Sequence, residues 1–509
     1  MGAAQDEISA RLGREVPSLR THTARGTIIN SAFQIGLSAL GALQRVIVAA
    51  FLARGEFGLW GLVISIIVTL AFLKDLGIAD KYIQQSEPDQ EEAFQKAFTL
   101  ELLSSIAFLL LVAVLAPLLA LIYGHPSIIL PAVAVTAAVP IMAFESAAWI
   151  PYRRLDYARQ RLLTAVRPVV TFVVTVGMAI AGTGYWCFVG GIVAGAVAGA
   201  VVCTVTCPYP LRLRFDRRTV REYASFSGPL VGSGLSALIV VQGSTLAATR
   251  VVGLAGVGAI VLATGISTFA ERVDTIVSQT VYPAVCAVVD RRDLLAEVFV
   301  KTNRVALMWA MPFGAGLALF AGDLVDFVIG DRWRPAVGLL AAFGLIVAFG
   351  QVGFNWPIFQ RAVNDTRPML VGSLIAVASL FVVWVPAVVA WGLTGYAAGF
   401  AISNAIQIVV RGYYLRRLFR HFKILRQIAR AVAPTIPAAA IVLAVRLVAP
   451  GGRSLPRAIA ELALYALAIA AFTALFERTL VRELVGYLRG RTVGVRSVVT
   501  PAQGRPAGA

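Results

Sequence analysis

Ionisable side chains inside long apolar segments are the residues of this chain that could do chemistry. A charged group in the hydrocarbon of a membrane is costly, so such residues are rare and mark binding or ion-transfer sites by default. Six of them are singled out as candidates: Arg45, Glu101, Glu145, Glu271, Arg272 and Asp274. Amide side chains add polarity to the same runs: Gln34, Gln44, Gln242, Asn355 and Asn404. The six ionisable residues, together with Gln34, Gln44 and Asn355, are the candidate site residues.

The two arginines suit a phosphate-bearing ligand. A guanidinium is permanently charged and offers a rigid fork of N–H donors that matches phosphate oxygens. Arg45 lies toward the end of the first apolar run, and Arg272 lies near the middle of a long later one. The alternative is a pair of intramembrane ion pairs, in which the arginines neutralise the acids of the same runs. The pairs would be Arg45 with Glu101 or Glu145, and Arg272 with Glu271 or Asp274.

The acids are candidates for coupling to a proton or a sodium ion. Glu145 and Glu101 are the first choices, and Glu271 and Asp274 are the second. Glu101 stands near the end of its run, so its carboxylate could also reach the membrane surface. The three histidines, His22, His125 and His421, fall outside the runs, which disfavours a histidine relay. The four cysteines have no histidine nearby, so we expect core thiols and no metal site.

The composition indicates a protein that crosses the membrane many times. Hydrophobic residues make up 58% of the 509 residues and charged residues only 14%, whereas a soluble domain is about half apolar and a quarter charged. We predict an all-α integral membrane protein with about fourteen transmembrane helices. The predicted spans are 27–51, 57–74, 98–122, 128–149, 162–182, 185–206, 226–248, 256–286, 303–322, 335–359, 368–390, 394–412, 431–449 and 457–476.

Loop charge predicts the orientation. The net charge of +18 is concentrated in alternate loops, and the opposite loops 123–127, 182–185 and 391–394 have no lysine or arginine. Positive loops stay in the cytoplasm, so both termini are predicted to be cytoplasmic. The basic stretch 413–430 interleaves aromatics with cations; we favour a helix lying on anionic lipid over a surface for RNA. No nucleic-acid partner is therefore predicted.

A faint internal repeat predicts two lobes. Arg250 follows Arg54 by 196 residues, and the pair Arg367-Pro368 follows Arg167-Pro168 by 200. Six helices per unit make the two units parallel, related by an axis along the membrane normal. The predicted organisation has these parts: a cytoplasmic tail, 1–25; an amino-terminal six-helix lobe, 26–206; a basic linker, 207–225; a second six-helix lobe, 226–412; a basic amphipathic loop, 413–430; helices 13 and 14, 431–478; and a cytoplasmic tail, 479–509.

Short motifs give the chain a resemblance to a known family. Leu52-Ala53-Arg54 with Phe57-Gly58 is followed by Asp75-Leu76-Gly77 and then Gln84-Gln85. Later come Tyr282-Pro283, the segment from Gly330 through Trp333 to Ala336, and Gly392 to Ala397. In order and spacing these resemble the polysaccharide transporter (oligosaccharide flippase) family, the Wzx-like lipopolysaccharide biosynthesis proteins of the multidrug/oligosaccharidyl-lipid/polysaccharide exporter superfamily. The resemblance covers residues from about Arg25 to Phe422.

The resemblance implies a fold and a function. The fold would be a MATE-like bundle of two lobes around a central cavity, and the function a flippase for polyprenyl-pyrophosphate-linked oligosaccharide in the cytoplasmic membrane. Arg45 and Arg272 would then hold the pyrophosphate, with Gln34, Gln44 and Asn355 as further cavity residues. Membrane lipids, a polysaccharide polymerase and glycosyltransferases would be partners, and no cofactor is expected beyond a coupled H+ or Na+.

Two alternatives belong to other classes. A MATE-type multidrug or cation antiporter would share the fold, and it would be expected to have twelve spans and a strong acidic cation site in the amino-terminal lobe. An enzyme, such as a polyprenyl-dependent glycosyltransferase or a polymerase, would need a large external loop with catalytic groups. The longest predicted external loops, 323–334 and 450–456, are too short for a domain. We therefore predict a transporter and not an enzyme.

Overall fold

We describe residues 19–74, 78–84, 87, 89–154, 156–274, 285, 291–363, 365, 367–419, 429–430, 432–448 and 452–478 of the computed structural model. Within these ranges the chain is helical and contains no strand. The chain divides into two compact units, Met1–Phe422 and Lys423–Ala509. The prediction of an all-α membrane protein is confirmed for the described residues.

The first unit holds most of the helices. They are α1 (Leu19–Phe51), α2 (Arg54–Lys74), α3 (Ile78–Gln84), α4 (Gln90–Tyr123), α5 (Ile129–Thr136), α6 (Ala138–Met142), α7 (Trp149–Arg153), α8 (Tyr157–Ile180), α9 (Trp186–Val205), α10 (Arg217–Ser267), α11 (Arg292–Leu324), α12 (Val337–Gly350), α13 (Trp356–Ala362), α14 (Arg367–Ser379) and α15 (Val385–Leu418). Short 3-10 or π turns join several of them, as at Ala143–Ala148 and Thr268–Glu271. The second unit contains α16 (Thr435–Val448) and α17 (Leu455–Phe476).

Ten helical stretches in the described residues are long and apolar enough to cross a membrane. The two longest, Ser236–Asp274 with 39 residues and Arg367–Leu418 with 52, are well beyond the length that one crossing needs. Each contains a glycine with positive φ, Gly253 (66°) and Gly392 (58°), a backbone conformation that favours glycine. These breaks fall between predicted spans, so each stretch can turn back on itself. The count of fourteen spans stays a prediction.

Helix α2 packs against the part of α10 that follows Gly253, and the two backbones approach each other at two glycines. A Cβ placed on Gly58 would lie 1.8 Å from the carbonyl oxygen of Leu254, and one on Gly258 would lie 2.1 Å from that of Arg54. The contacts are reciprocal, because 254 and 258 follow 54 and 58 by 200 residues each. Such reciprocity is what a two-fold axis produces. The division into two lobes stays a prediction that this contact favours.

The two helices that meet at these glycines are preceded by different turns, although they are equivalent in the predicted repeat. Gly253 breaks the helix in the second half, whereas Ala53 stands 200 residues earlier, in the short turn between α1 and α2. The backbone N–H of Ala53 donates to Glu56 Oε2 (3.0 Å). The first turn is therefore stabilised by a side-chain acceptor, and the second relies on the conformational freedom of glycine.

Two predicted boundaries are corrected by the helix ends. Helix α15 continues to Leu418, past the boundary predicted at 412 and into the basic stretch predicted at 413–430. Arg411 lies within this helix. Its guanidinium donates to the carbonyl oxygens of Gly350 (2.7 Å) and Val352 (3.4 Å), where α12 ends. The linker predicted at 207–225 is helical from Arg217. A cation that caps a helix end resembles a loop cation in sequence, because both follow an apolar run.

Candidate functional site

Arg45 and Arg272 lie on the same cavity. Arg45 projects from α1, and Arg272 follows the 3-10 turn at the end of α10. The cavity has a volume of about 180 Å³. Its lining is Leu37, Ser38, Gly41, Ala42, Arg45, Gly265, Phe269 and Arg272. This described lining contains two cations and no carboxylate, so the cavity is suited to an anionic group.

A backbone contact fixes the Arg45 guanidinium in the cavity. Its Nη1 donates to the carbonyl oxygen of Gly265 (2.6 Å). A Cβ on Gly265 would lie 2.9 Å from Arg45 Cδ, so glycine at this position allows the arginine to approach. Gly41 and Ala42 leave room on the helix that carries Arg45. Small residues thus surround a large cation and keep the space beside it open.

Glu101 and Glu145, the predicted ion-pair partners of Arg45, pair with other cations. Glu101 pairs with Lys74 (Oε1 to Nζ, 2.5 Å), and Glu145 pairs with Arg167 (Oε2 to Nε, 3.1 Å). The pairing of Arg272 with its neighbours Glu271 and Asp274 stays open. Neither Glu101 nor Glu145 belongs to the cavity lining. A substrate role for Arg45 and Arg272 stays a prediction.

Glu145 occupies a closed site among the helices of the first predicted lobe. It lies on the turn Ala143–Ala148, and its Oε1 is buried with no hydrogen-bond partner in the described residues. A Cβ on Gly199 of α9 would lie 2.5 Å from that oxygen. The carboxylate therefore has one oxygen held by Arg167 and one available to a proton or cation. Its role in coupling stays a prediction.

The amide candidates are spread over the bundle. Asn355 is buried and donates to Thr302 Oγ1 (2.7 Å), outside the cavity lining. Gln44 is half-buried on α1 and also lies outside the lining. The side chain of Gln34 lies outside the described residues. Asn355 therefore joins α11 to the start of α13 in this structure.

An aromatic group beside the cavity was not anticipated from the sequence. Phe269 of the lining packs with Trp309 (ring centroids 5.7 Å apart) and Phe313 (5.4 Å). Trp309 Nε1 donates to the Phe269 carbonyl oxygen (3.2 Å), yet the side chain is 40% exposed. The spacing of Trp309 and Phe313 on α11 was a signal, since residues four apart share a helix face.

Two motif segments from opposite halves of the first unit meet at the end of α1. Trp333 is fully buried, and its Nε1 donates to the Ala49 carbonyl oxygen (2.7 Å). Arg332 donates to the carbonyl oxygens of Ala50 (2.5 Å), Phe51 (3.3 Å) and Leu52 (3.2 Å). These carbonyls end a helix and have no partner within it, so a cation there is favourable. We call Arg332 and Trp333 with these carbonyls the Trp333 clamp.

A second arginine makes an equivalent contact at the end of α4. Arg250 donates from Nε to the Ile122 carbonyl oxygen (3.1 Å) and from Nη2 to that of Leu121 (3.4 Å). Nearby, Gln242 Oε1 accepts a hydrogen bond from the Tyr123 hydroxyl (2.5 Å), and Gln242 Nε2 donates one to Thr69 Oγ1 (2.5 Å). These contacts join α10 to α2 and α4. Together with the Trp333 clamp they close one end of the interface between the predicted lobes.

The helices define a multi-pass helical membrane protein, and the cavity is a cationic site within it. The sequence model of the family described as "Polysaccharide biosynthesis protein" matches residues 47–338. The chain belongs to this family. The resemblance found in the motifs, to Wzx-like flippases of the exporter superfamily, is confirmed.

Two curated relatives show the same likeness. The chain is 22% identical over 344 residues to "Lipopolysaccharide biosynthesis protein WzxC" of Escherichia coli (strain K12), covering 65% of this chain and 69% of the relative. It is 22% identical over 418 residues to "Uncharacterized membrane protein in cps region" of Klebsiella pneumoniae, covering 78% and 83%. In both cases the likeness extends over most of the length of the relative.

Solved structures show the fold. The chain is similar to "Lipid II flippase MurJ, inward closed conformation", with a TM-score of 0.65 and 12% identity over 89% of this chain and 100% of that one. It is also similar to the inward-facing conformation of a multidrug resistance MATE family transporter, with a TM-score of 0.62 and 15% identity over 76% and 98%. The MATE-like architecture implied by the resemblance is therefore confirmed as a fold.

Proposed function

We propose that this chain is a flippase that moves polyprenyl-pyrophosphate-linked oligosaccharide across the cytoplasmic membrane for cell-surface polysaccharide biosynthesis. The observation that carries the proposal is the cavity, whose lining holds Arg45 and Arg272 and no carboxylate. Membership of the polysaccharide biosynthesis family supports it. The likeness to a lipid flippase concerns the fold.

Each cavity residue would bind a different part of the substrate. The guanidinium of Arg45, held on the Gly265 carbonyl, would present its remaining donors to one phosphate, and Arg272 would bind the other. A phosphate in a low-dielectric cavity offsets the desolvation of both cations. The exposed ring of Trp309 beside Phe269 offers an apolar face on which a sugar ring can stack. The polyprenyl chain would stay in the bilayer.

The energy source and partners are further parts of the proposal. Glu145, with one buried oxygen that has no partner in the described residues, would take up the H+ or Na+, with Glu101, Glu271 and Asp274 as the alternatives. A polymerase and glycosyltransferases would act on the lipid-linked glycan before and after transport. A multidrug antiporter would have its acidic cation site in the first predicted lobe, where Glu145 also lies. The cationic lining of the cavity, which contains no carboxylate in the described residues, is the feature that favours the flippase.

Depletion of the chain in its host tests the proposed function. We expect surface polysaccharide to fall and lipid-linked oligosaccharide to accumulate in the inner leaflet, where an added glycosidase reaches it only after the cells are opened. Expression of the chain should reverse both effects. Normal surface polysaccharide together with lost efflux of cationic dyes would instead support the antiporter.

Cysteine labelling tests the proposed orientation. In a cysteine-free background, single cysteines at Ser127 and Thr183 should react with an impermeant maleimide in intact cells, and one at Thr219 should not. The basis is the alternation of loop charge, which places the bare loops outside. Lysed cells, in which all three should react, provide the control. Labelling at position 219 in intact cells would contradict the predicted orientation.

A further inference from the structure

A third arginine lies beside the cavity wall that α1 contributes. Leu37, Gly41 and Arg45 of this wall are four residues apart, so they follow one side of the helix. Phe33 stands one turn before Leu37, at the edge of the same side. The guanidinium carbon of Arg161, on α8, lies 5.6 Å from the centre of the Phe33 ring. Arg161 therefore stands next to the part of α1 that leads to Arg45.

The contact with Phe33 holds Arg161 without using its hydrogen-bond donors. Helices α1 and α8 pack against each other, and a guanidinium over an aromatic face is attracted by the ring electrons. The Nε atom of Arg161 is buried and has no hydrogen-bond partner among the described residues. A buried donor without an acceptor is costly. Arg161 is therefore suited to an acceptor that a ligand brings.

Arg161 is too far from Arg45 for both to hold the same phosphate group. Phe33, which contacts Arg161, precedes Arg45 by three turns of the continuous helix α1, a rise of about 18 Å. The predicted topology places the start of α1 on the cytoplasmic side. A phosphate group that enters from the cytoplasm would then reach Arg161 first and Arg45 second.

We propose that Arg161 captures the pyrophosphate of the lipid-linked substrate at the cytoplasmic entrance of the cavity, before Arg45 and Arg272 bind it. This inference rests on the flippase function proposed above. The guanidinium of Arg161 offers the planar donors that suit phosphate oxygens, and the Phe33 ring keeps it in place. An anionic phospholipid carries a phosphate group too, so the experiment has to separate these two sources.

Transport of a fluorescent polyprenyl-pyrophosphate-linked sugar in phosphatidylcholine vesicles tests this proposal. Arg161→Ala should raise the half-saturating substrate concentration about tenfold, the loss expected for one charge-assisted contact. The maximal rate should stay close to that of the wild type, because Arg45 and Arg272 are unchanged. Arg159→Ala, at an exposed arginine of the same helix, is the matched control and should change neither value. An unchanged half-saturating concentration in Arg161→Ala would overturn the proposal.

Two further variants separate capture from a structural role of the contact between Arg161 and Phe33. Arg161→Lys keeps the charge and loses the planar donors, and Phe33→Leu keeps Arg161 and loses the ring that holds it. Both should raise the half-saturating concentration by less than Arg161→Ala does. A structural contact would instead lower the maximal rate or the thermal stability in detergent and leave the half-saturating concentration unchanged. That result would contradict the proposal.

The lipid composition of the vesicles separates the two sources of phosphate. A defect of Arg161→Ala that appears only in vesicles with added phosphatidylglycerol would assign the site to a phospholipid headgroup, and capture of the substrate would be wrong. Failure of the wild type to move the pyrophosphate-linked sugar in either kind of vesicle would contradict the proposed function itself. Transport by the wild type with an unaffected Arg161→Ala would contradict only the role of Arg161.

Discussion

Arg45→Ala and Arg272→Ala are each expected to lower export of lipid-linked oligosaccharide by about a hundredfold at matched membrane abundance. The estimate follows from the loss of a charge-assisted contact of about 3 kcal/mol in a low-dielectric site. Both arginines line the same cavity, so either loss leaves one phosphate group without its cation. Export is measured as surface polysaccharide relative to lipid-linked oligosaccharide retained inside.

Conservative substitutions separate binding from simple charge. Arg45→Lys and Arg272→Lys keep the charge and lose the guanidinium fork, so we expect partial recovery of export. Arg334→Ala, in the same unit and outside the cavity, should export normally. Export at the wild-type level by both alanine variants would exclude a substrate role. Recovery on exchanging Arg272 and Asp274 would favour the ion pair that stays open for Arg272.

The sequence singled out the two cations that line the cavity. Arg45 and Arg272 stand out because charges are rare in apolar runs, and the structure places both on one cavity. Their separation along the sequence gave no indication that they would share a cavity. The same rule selected Glu101 and Glu145, whose partners Lys74 and Arg167 neutralise them. Charge in an apolar run therefore identifies candidates, and tertiary contacts decide which of them face the cavity.

The partners of these residues could not be predicted, because many are backbone atoms. Arg45 donates a hydrogen bond to the carbonyl oxygen of Gly265, 220 positions away in the sequence. Every residue has a backbone carbonyl, so the residue type does not indicate such a contact. Arg332 and Arg250 look like loop cations in the sequence, yet they bind the carbonyls at the ends of α1 and α4. The family motifs did carry a signal, since Arg332 proved to be a neighbour of Leu52 in the turn after α1.

A reversible cross-link between α2 and α10 is expected to stop transport completely. The site is Gly61 and Val261, where a Cβ on Gly61 would lie 3.0 Å from the Val261 Cβ. That separation is slightly below the roughly 3.5–4.5 Å of disulfide Cβ pairs, so a small shift of either helix would admit the bond. If α2 and α10 belong to different lobes, transport requires them to separate. A disulfide at this point would hold the lobes closed.

The experiment uses Gly61→Cys with Val261→Cys in a background that lacks the four native cysteines. Oxidation should reduce export to background, and a reducing agent should restore it, because the chain is otherwise unchanged. The single-cysteine variants, treated with the same oxidant, control for chemical damage and for the steric effect of each side chain. Export that continued in the fully cross-linked protein would show that α2 and α10 stay together during transport. The two glycine contacts at Gly58 and Gly258 would then be a permanent joint, and the moving interface would lie elsewhere in the bundle.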